Sequence, residues 1–198
     1  MQNENQDTEN YDEIIRTWER KNCVNEPLVI NTNSSKIIHI PYFPKCVKLY
    51  LTLSSDICMY LPDFPSTLKI LDITLAPEII PQLPPNLESL RIFIGDMREL
   101  PPLPDSLKKL KIEMTAIRHL PPLPPNLEEL SCSENDLVCL PELPHKLKLL
   151  ECAQNRITRL PALPQSLKEL TCMYNKITEY PEYHADLDVI DDRYPGLY

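Results

Sequence analysis

The feature that most constrains this chain is a 20-residue repeat, clearest where residues 140–159 are laid over residues 160–179. Leu, Pro, Leu, Pro, Leu, Leu, Cys, Asn, Ile and Thr recur there in register, while the positions between them vary. A fixed period with fixed apolar positions is typical of a solenoid, in which each turn buries its core against its neighbours. Units begin at Ile40, Leu61, Ile80, Leu100, Leu120, Leu140, Leu160 and Tyr180.

Each unit combines a short strand with a proline-rich connection. Leu170 and Cys172 alternate with Thr171 as they do in a strand with one buried face. Pairs such as Pro161 and Pro164 fix φ and lack amide donors, so the connection is predicted to be extended rather than helical. The predicted fold is an α/β repeat solenoid dominated by short parallel β-strands. It should be curved, with the proline-rich connections outside and the strands on the concave side.

The two ends depart from the repeat and divide the chain. Residues 1–9 are predicted to be a disordered acidic tail, and residues 10–27 an N-terminal capping helix. That helix would place Tyr11, Ile14, Ile15 and Trp18 on one face, against the first turn of the array. The repeat array is predicted over residues 28–179. Residues 180–198 are then a degenerate repeat and an acidic C-terminal cap.

Charge and hydropathy exclude several classes of partner. The net charge is −9, and residues 1–20 and 179–198 carry the whole excess, which leaves the array between them neutral. Because no basic stripe exists, we expect no nucleic-acid ligand. No run of 18 apolar residues suggests a membrane span, and the polar start lacks the pattern of a cleaved secretory signal.

The seven cysteines indicate a reducing compartment, and hence a cytoplasmic location. Cys132, Cys152 and Cys172 occupy the slot that isoleucine fills in earlier units, so we expect them to be buried as small hydrophobic residues. A metal or redox role for these three neighbouring thiols stays open as the less favoured alternative. No Cys-x-x-Cys pair predicts a zinc site, and no cofactor is expected.

The pattern of polar residues in the repeat predicts structural rather than catalytic roles. Asn135, Asn155 and Asn175 follow successive strands, where a buried side-chain amide can satisfy backbone groups at the turn. Gly95 and Thr115 hold this slot earlier, so the N-terminal half is expected to be looser. The four histidines are scattered, a Cys–His pair built from Cys139 and His119 is weakly supported, and two glycines cannot form a phosphate-binding loop. We expect no enzymatic activity.

Binding is better supported, because the strand residues that face away from the core vary from unit to unit. We predict that they form a partner-binding concave face with Phe93 and Tyr174 as apolar anchors. The alternative is that these are solvated strand residues, with Lys and Glu paired across neighbouring turns. The predicted contact residues are Arg91, Phe93, Lys109, Lys111, Glu113, Glu129, Ser131, Glu151, Glu169, Thr171, Met173 and Tyr174.

The unit Leu-Pro-x-Leu-Pro-x-x-Leu-x-x-Leu, followed by Ile or Cys and then Asn, resembles the leucine-rich-repeat signature in its 20-residue form. More narrowly, it is similar to the repeats of secreted bacterial effectors of the YopM and IpaH types, and to arrays in large DNA viruses. The resemblance covers about residues 28–190. It implies binding of a protein partner inside a host or producer cell, and a part in virulence and host–pathogen interaction.

The ubiquitin-ligase branch of those effectors carries its catalytic cysteine in a Cys-x-Asp motif of a separate C-terminal domain. None of the seven cysteines here is followed by Asp two places later, so the resemblance does not imply ligase activity. The sequence therefore favours a monomeric, non-enzymatic protein-interaction module. The alternatives are the substrate-recognition part of a split ubiquitin ligase, which needs a separate catalytic partner, and a structural or self-assembling repeat protein.

Overall fold

The chain forms a parallel β-solenoid in which every unit adds one strand to a single sheet. The computed structural model describes residues 16–17, 26–31, 43, 45–52, 61, 63–76, 79–95, 97–182 and 184–191. The sheet orders its nine strands as they follow in the chain, and every neighbouring pair is parallel. The strands are β1 Leu28–Asn31, β2 Lys48–Thr52, β3 Ile70–Ala76, β4 Ser89–Gly95, β5 Lys109–Glu113, β6 Glu129–Ser131, β7 Leu149–Glu151, β8 Glu169–Thr171 and β9 Asp188–Ile190.

Two apolar columns run through the sheet and form the core. Each strand from β1 to β5 contributes one inward residue to each column, while in β6 to β8 the residue of the second column directly follows the strand. None of these side chains is more than 2% exposed. The predicted equivalence of cysteine and isoleucine is confirmed, because Ile112 and Cys132 occupy one column and are both fully buried. The leucine column is Leu28, Leu49, Leu71, Leu90, Leu110, Leu130, Leu150 and Leu170. The second is Ile30, Leu51, Ile73, Ile92, Ile112, Cys132, Cys152 and Cys172.

The prolines set the turn that leads into each strand. The amide of Leu147 donates to the carbonyl oxygen of Pro144 at 3.0 Å, and the amide of Leu167 donates to that of Pro164 at 3.0 Å. Leu68, Leu87, Leu107 and Leu127 make the same bond to Pro65, Pro84, Pro104 and Pro124. Because proline fixes φ but keeps its carbonyl acceptor, it can close the turn without continuing a helix.

The described residues do not support the α/β part of the predicted class. Between strands they contain turns and irregular chain without helix, as the prolines require. The predicted capping helix over residues 10–27 and the tail over residues 1–9 lie almost entirely outside the described residues. Of that range, Arg16 and Thr17 are helical, Glu26 and Pro27 are not, and Trp18 lies outside the described residues. Within the part of the chain that the structure describes, no helix has the length and apolar character that crossing a membrane requires.

The asparagine ladder is confirmed, and it determines where the strands end. Asn155 donates through Nδ2 to the carbonyl oxygens of Cys132 at 2.9 Å and Cys152 at 3.2 Å, and its Oδ1 accepts from the Leu137 amide at 3.0 Å. Asn175 repeats this pattern one turn later. Where Ala76 and Gly95 occupy the slot instead, the strands continue through it and pair there.

A left-handed residue precedes the slot in six successive units. Gln154 has φ 53° and Tyr174 has φ 57°. The other four are Leu75, Ile94, Met114 and Glu134, with φ between 55° and 61°. Left-handed backbone is unfavourable for residues with a Cβ, so the fold holds a ladder of mildly strained positions at the strand exits.

Candidate functional site: the solvent face of the sheet

The side of the sheet that points away from the two apolar columns is here called the solvent face. It consists of strand residues that alternate with the buried columns, and of the left-handed residues at the strand exits. All the predicted contact residues lie on it by register or by position at a strand exit. Ser131 differs from the other predicted contact residues because its side chain is buried, with only 5% of the residue exposed. Its hydroxyl donates to Glu113 Oε1 at 2.6 Å. It is therefore covered by its neighbour.

Arg91 and Phe93 form one compact group on β4. The Arg91 guanidinium lies 4.9 Å from the centroid of the Phe93 ring, within the range of a cation–π contact. The same guanidinium donates to both carboxylate oxygens of Asp72 on β3, at 3.0 and 3.3 Å. Phe93 is half-buried, so this predicted anchor is already engaged by its own chain.

The two lysines of β5 are also paired. Lys109 Nζ lies 2.8 Å from Glu129 Oε1 on β6, and Lys111 Nζ lies 3.0 Å from Glu113 Oε1 on β5 itself. With Arg91 held by Asp72, each of these three cations among the predicted contact residues has an acidic partner. The alternative drawn from the sequence, pairing of opposite charges within the array, thus describes this half of the solvent face.

The other half of the solvent face carries acids without such partners. Glu134, Glu151, Glu169 and Asp188 form no ion pair with any residue that the structure describes. Glu169 and Asp188 are direct partners in the β8–β9 register. The solvent face is therefore electrically balanced around β4 and β5 and negative from β7 to β9.

Apolar side chains are exposed at both ends of the solvent face and near its middle. Tyr174 is 66% exposed and Met114 is 43% exposed, while Met173 is half-buried. Sequence reasoning missed Val29 and Tyr50, which are 50% and 36% exposed on β1 and β2. Their alternation with Leu28, Ile30, Leu49 and Leu51 was a signal that could have found them.

The edge at which the strands begin is a ladder of polar side chains rather than a reactive site. Glu88 lies between two lysines, 3.0 Å from Lys69 Nζ and 2.9 Å from Lys108 Nζ. Hydrogen bonds and charge attraction, chiefly from Lys108, lower the pKa of Glu88. Lys148 pairs with Glu128 at 2.6 Å in the same row. A shallow groove of about 690 Å³ runs along this edge.

The cysteines and histidines that the structure describes show no catalytic arrangement. Burial raises the pKa of Cys132 and of Cys152, which keeps both thiols protonated and unreactive. Cys139 and His119 are both exposed, and no hydrogen bond joins them. Among the described residues, no cluster of three or more His, Cys, Asp or Glu side chains could hold a metal ion.

The fold is similar to solved structures of two bacterial effector proteins. YopM from Yersinia enterocolitica WA-314 matches 82% of this chain at 29% identity and a TM-score of 0.65, and the match spans 42% of the YopM chain. The leucine-rich-repeat domain of a Shigella effector matches 86% of this chain at 26% identity and a TM-score of 0.57, across 68% of that domain's chain. A scan against protein-family models gave no match, and a search of curated proteins gave none.

Proposed function

Because this chain is a leucine-rich-repeat protein of the bacterial-effector type, we propose that it is a non-enzymatic module that binds a protein partner on its solvent face. The face is formed by side chains of successive turns, so one partner can contact several units at once. The core columns repeat the same residue types, while the solvent-face columns change at nearly every turn. Such variation allows a repeat array to acquire specificity without altering its fold.

The observation that carries the proposal is the exposure of Tyr174. An aromatic ring that is 66% exposed at the edge of a sheet offers a large, rigid contact area. Tyrosine is enriched among the residues that dominate binding energy in protein interfaces. Met114, at the equivalent position three turns earlier, offers a second exposed apolar side chain on the same line of strand exits, with Glu134 and Gln154 between the two.

The similarity to effector proteins supports a proposal about where in the cell the chain acts. We propose that the chain acts in the cytoplasm of a host cell, where its buried thiols would stay reduced. The proposal includes the concave shape of the solvent face, a monomeric state, and a helix over residues 10–27 that covers the first turn. Residues predicted from the sequence as contacts remain part of it, with Ser131 supporting Glu113 rather than touching the partner.

Site-specific photo-cross-linking tests where a partner binds. A photoreactive phenylalanine analogue would replace Tyr174 or Met114 on the solvent face, or Ala162 in the proline-rich connection. Each protein would be irradiated in a reducing eukaryotic lysate, and the products identified by mass spectrometry. We expect one protein to cross-link from Tyr174 and Met114 and not from Ala162, which is exposed on another side.

The matched control is a variant with both apolar side chains removed, Tyr174→Ala with Met114→Ala. Both residues are exposed, so fold and stability should change little, which circular dichroism and urea unfolding would verify. Capture of the cross-linked protein by the unmodified chain should fall by about tenfold in this variant. Cross-links that arise only from Ala162 would overturn the assignment to the solvent face.

A further inference from the structure

We infer that the partner docks a basic, Lys- or Arg-rich segment onto the solvent face between β7 and β9, with Tyr174 as its apolar contact. This inference rests on the proposed function, since it names the partner chemistry of the same face. It follows from the distribution of ion pairs, which divides the solvent face into a balanced half and an unbalanced half.

In the balanced half, around β4 and β5, the charged side chains pair with one another. Arg91, Lys109 and Lys111 are each held by a carboxylate at 2.8–3.0 Å. A partner that used these cations would first have to break contacts that already exist. These three cations therefore form a poor docking site for an acidic ligand.

The unbalanced half has the opposite property. Glu151 lies on β7, Glu169 on β8 and Asp188 on β9, and none of them forms an ion pair with the described residues. Glu134, at a strand exit before β7, is a fourth carboxylate that has no ion pair within the described ranges. A ligand can therefore meet these groups without displacing a lysine or arginine of the part of the chain that the structure describes.

The pairing register of β8 and β9 brings two of these carboxylates close together. Glu169 and Asp188 are Cα partners on adjacent parallel strands, which lie about 4.8 Å apart. Like charges directly opposite each other destabilise a sheet pair, and an arriving ammonium or guanidinium group would remove that repulsion. Docking a cation here therefore relieves an unfavourable contact as well as forming a favourable one.

Charge and shape together favour a protein segment over a lone cation. The carboxylates are spread over three successive strands rather than gathered into one cage, and the described residues contain no metal-binding cluster. Tyr174 follows β8 and is 66% exposed, so aliphatic stems of lysine or arginine can pack on its ring. A chain laid across the strands could meet both features together.

Fluorescence anisotropy with defined peptides tests the charge preference. The probe is a labelled peptide of alternating Arg and Ser, and the comparison peptide alternates Glu and Ser at the same length. The face variant combines Glu151→Gln, Glu169→Gln and Asp188→Asn. The control variant combines Glu99→Gln, Glu142→Gln and Glu182→Gln, which removes the same charge from exposed positions outside the solvent face.

We expect the Arg–Ser peptide to bind the unmodified chain and the Glu–Ser peptide not to bind. The face variant should weaken Arg–Ser binding by about tenfold, and the control variant by less than about twofold. Binding should also weaken strongly between about 0.1 M and 1 M salt. Equal weakening in both variants would overturn the inference, because net charge alone would then account for the attraction. Failure of the Arg–Ser peptide to bind the unmodified chain would overturn it as well.

Cross-linking separates this inference from the proposed function. If the protein cross-linked from Tyr174 is captured equally by the unmodified chain and the face variant, the solvent face binds a partner but not through its acids. If no protein cross-links from the solvent face, the proposed function itself fails. In the supported case, capture falls in the face variant and the cross-linked segment is rich in Lys or Arg.

Discussion

The side chain of Asn135 accepts two hydrogen bonds from Thr115, one from its backbone amide at 3.0 Å and one from its hydroxyl at 2.5 Å. Thr115 occupies the ladder slot of the preceding unit, so the asparagine ladder begins on a threonine. Asn135 Nδ2 also reaches back to the carbonyl oxygen of Ile112 at 2.8 Å. One polar side chain thus joins two turns of the solenoid through several backbone groups.

Replacing Asn155 with alanine should destabilise the protein strongly. Asn155 is 8% exposed, and its loss leaves the buried Leu137 amide without its side-chain acceptor and takes one of two side-chain donors from the Cys132 carbonyl oxygen. We expect the free energy of unfolding to fall by about 3 kcal/mol, measured by urea denaturation. The matched control is Asn126→Ala at an exposed edge position, which should cost less than about 1 kcal/mol. Equal losses would contradict a special role for the ladder.

Replacing Gln154 with glycine should stabilise the protein. Gln154 has φ 53° and an exposed side chain, and glycine adopts that conformation without the Cβ clash. The gain exceeds the entropy cost of glycine, so we expect the free energy of unfolding to rise by about 0.5 kcal/mol. Ala153→Gly, one residue earlier and outside the left-handed region, should lower it by about 0.5–1 kcal/mol. A loss of stability in Gln154→Gly would count against strain at this position.

Replacing Glu88 with glutamine should remove a pH-dependent contribution to stability. Lys108 and Lys69 lower the pKa of Glu88 from 4.5, so its carboxylate favours the folded state above about pH 4.5. That contribution is lost as pH falls through the lowered pKa of the folded state. The variant should be less stable than the unmodified chain by under about 1 kcal/mol at pH 7, and the difference should vanish in acid and in about 1 M salt.

The control for that experiment is Glu142→Gln, an exposed carboxylate without an ion pair among the described residues. Its free energy of unfolding should follow that of the unmodified chain at neutral pH. A pH-independent difference for Glu88→Gln would show that the two lysines do not act through its charge.

Alkaline pH should destabilise the fold through its buried thiols. Burial raises the pKa of Cys46 from 9.0 to about 11, and it also raises the pKa of Cys132 and of Cys152. The unfolded chain therefore loses thiol protons that the folded chain keeps, so stability falls as pH rises from about 9 to 11. A Cys132→Val, Cys152→Val variant should show a shallower decline in urea denaturation over that range. An unchanged slope would assign the decline to other groups.

The sequence was sufficient for the strand order, the buried columns and the asparagine ladder, since each depends on residues that recur in register. The parallel pairing of Leu110 with Leu130 follows from their 20-residue separation. The β part of the predicted α/β class is supported, but the α part is not, because proline excludes helix from the connections between strands. The capping helix stays a prediction, since it lies almost wholly outside the described residues.

The candidate site was less predictable, because pairing between side chains depends on geometry that a repeat does not encode. Lys111 was placed correctly on the solvent face, yet its partner Glu113 lies on the same strand rather than on a neighbour. Ser131 was placed on that face but is buried by the same glutamate. No sequence pattern marked the left-handed positions, where residues as different as Ile94 and Glu134 share one backbone conformation.

The strict stacking of strands in chain order has a consequence for how such a chain can change over generations. Each unit contacts only the units before and after it. Removal of residues 140–159 would therefore join Cys139 to Leu160 and leave every remaining unit complete. Duplication of one unit would lengthen the sheet by about 4.8 Å in the same way. Recombination within such a gene can therefore resize the binding surface in whole increments while the surrounding architecture survives.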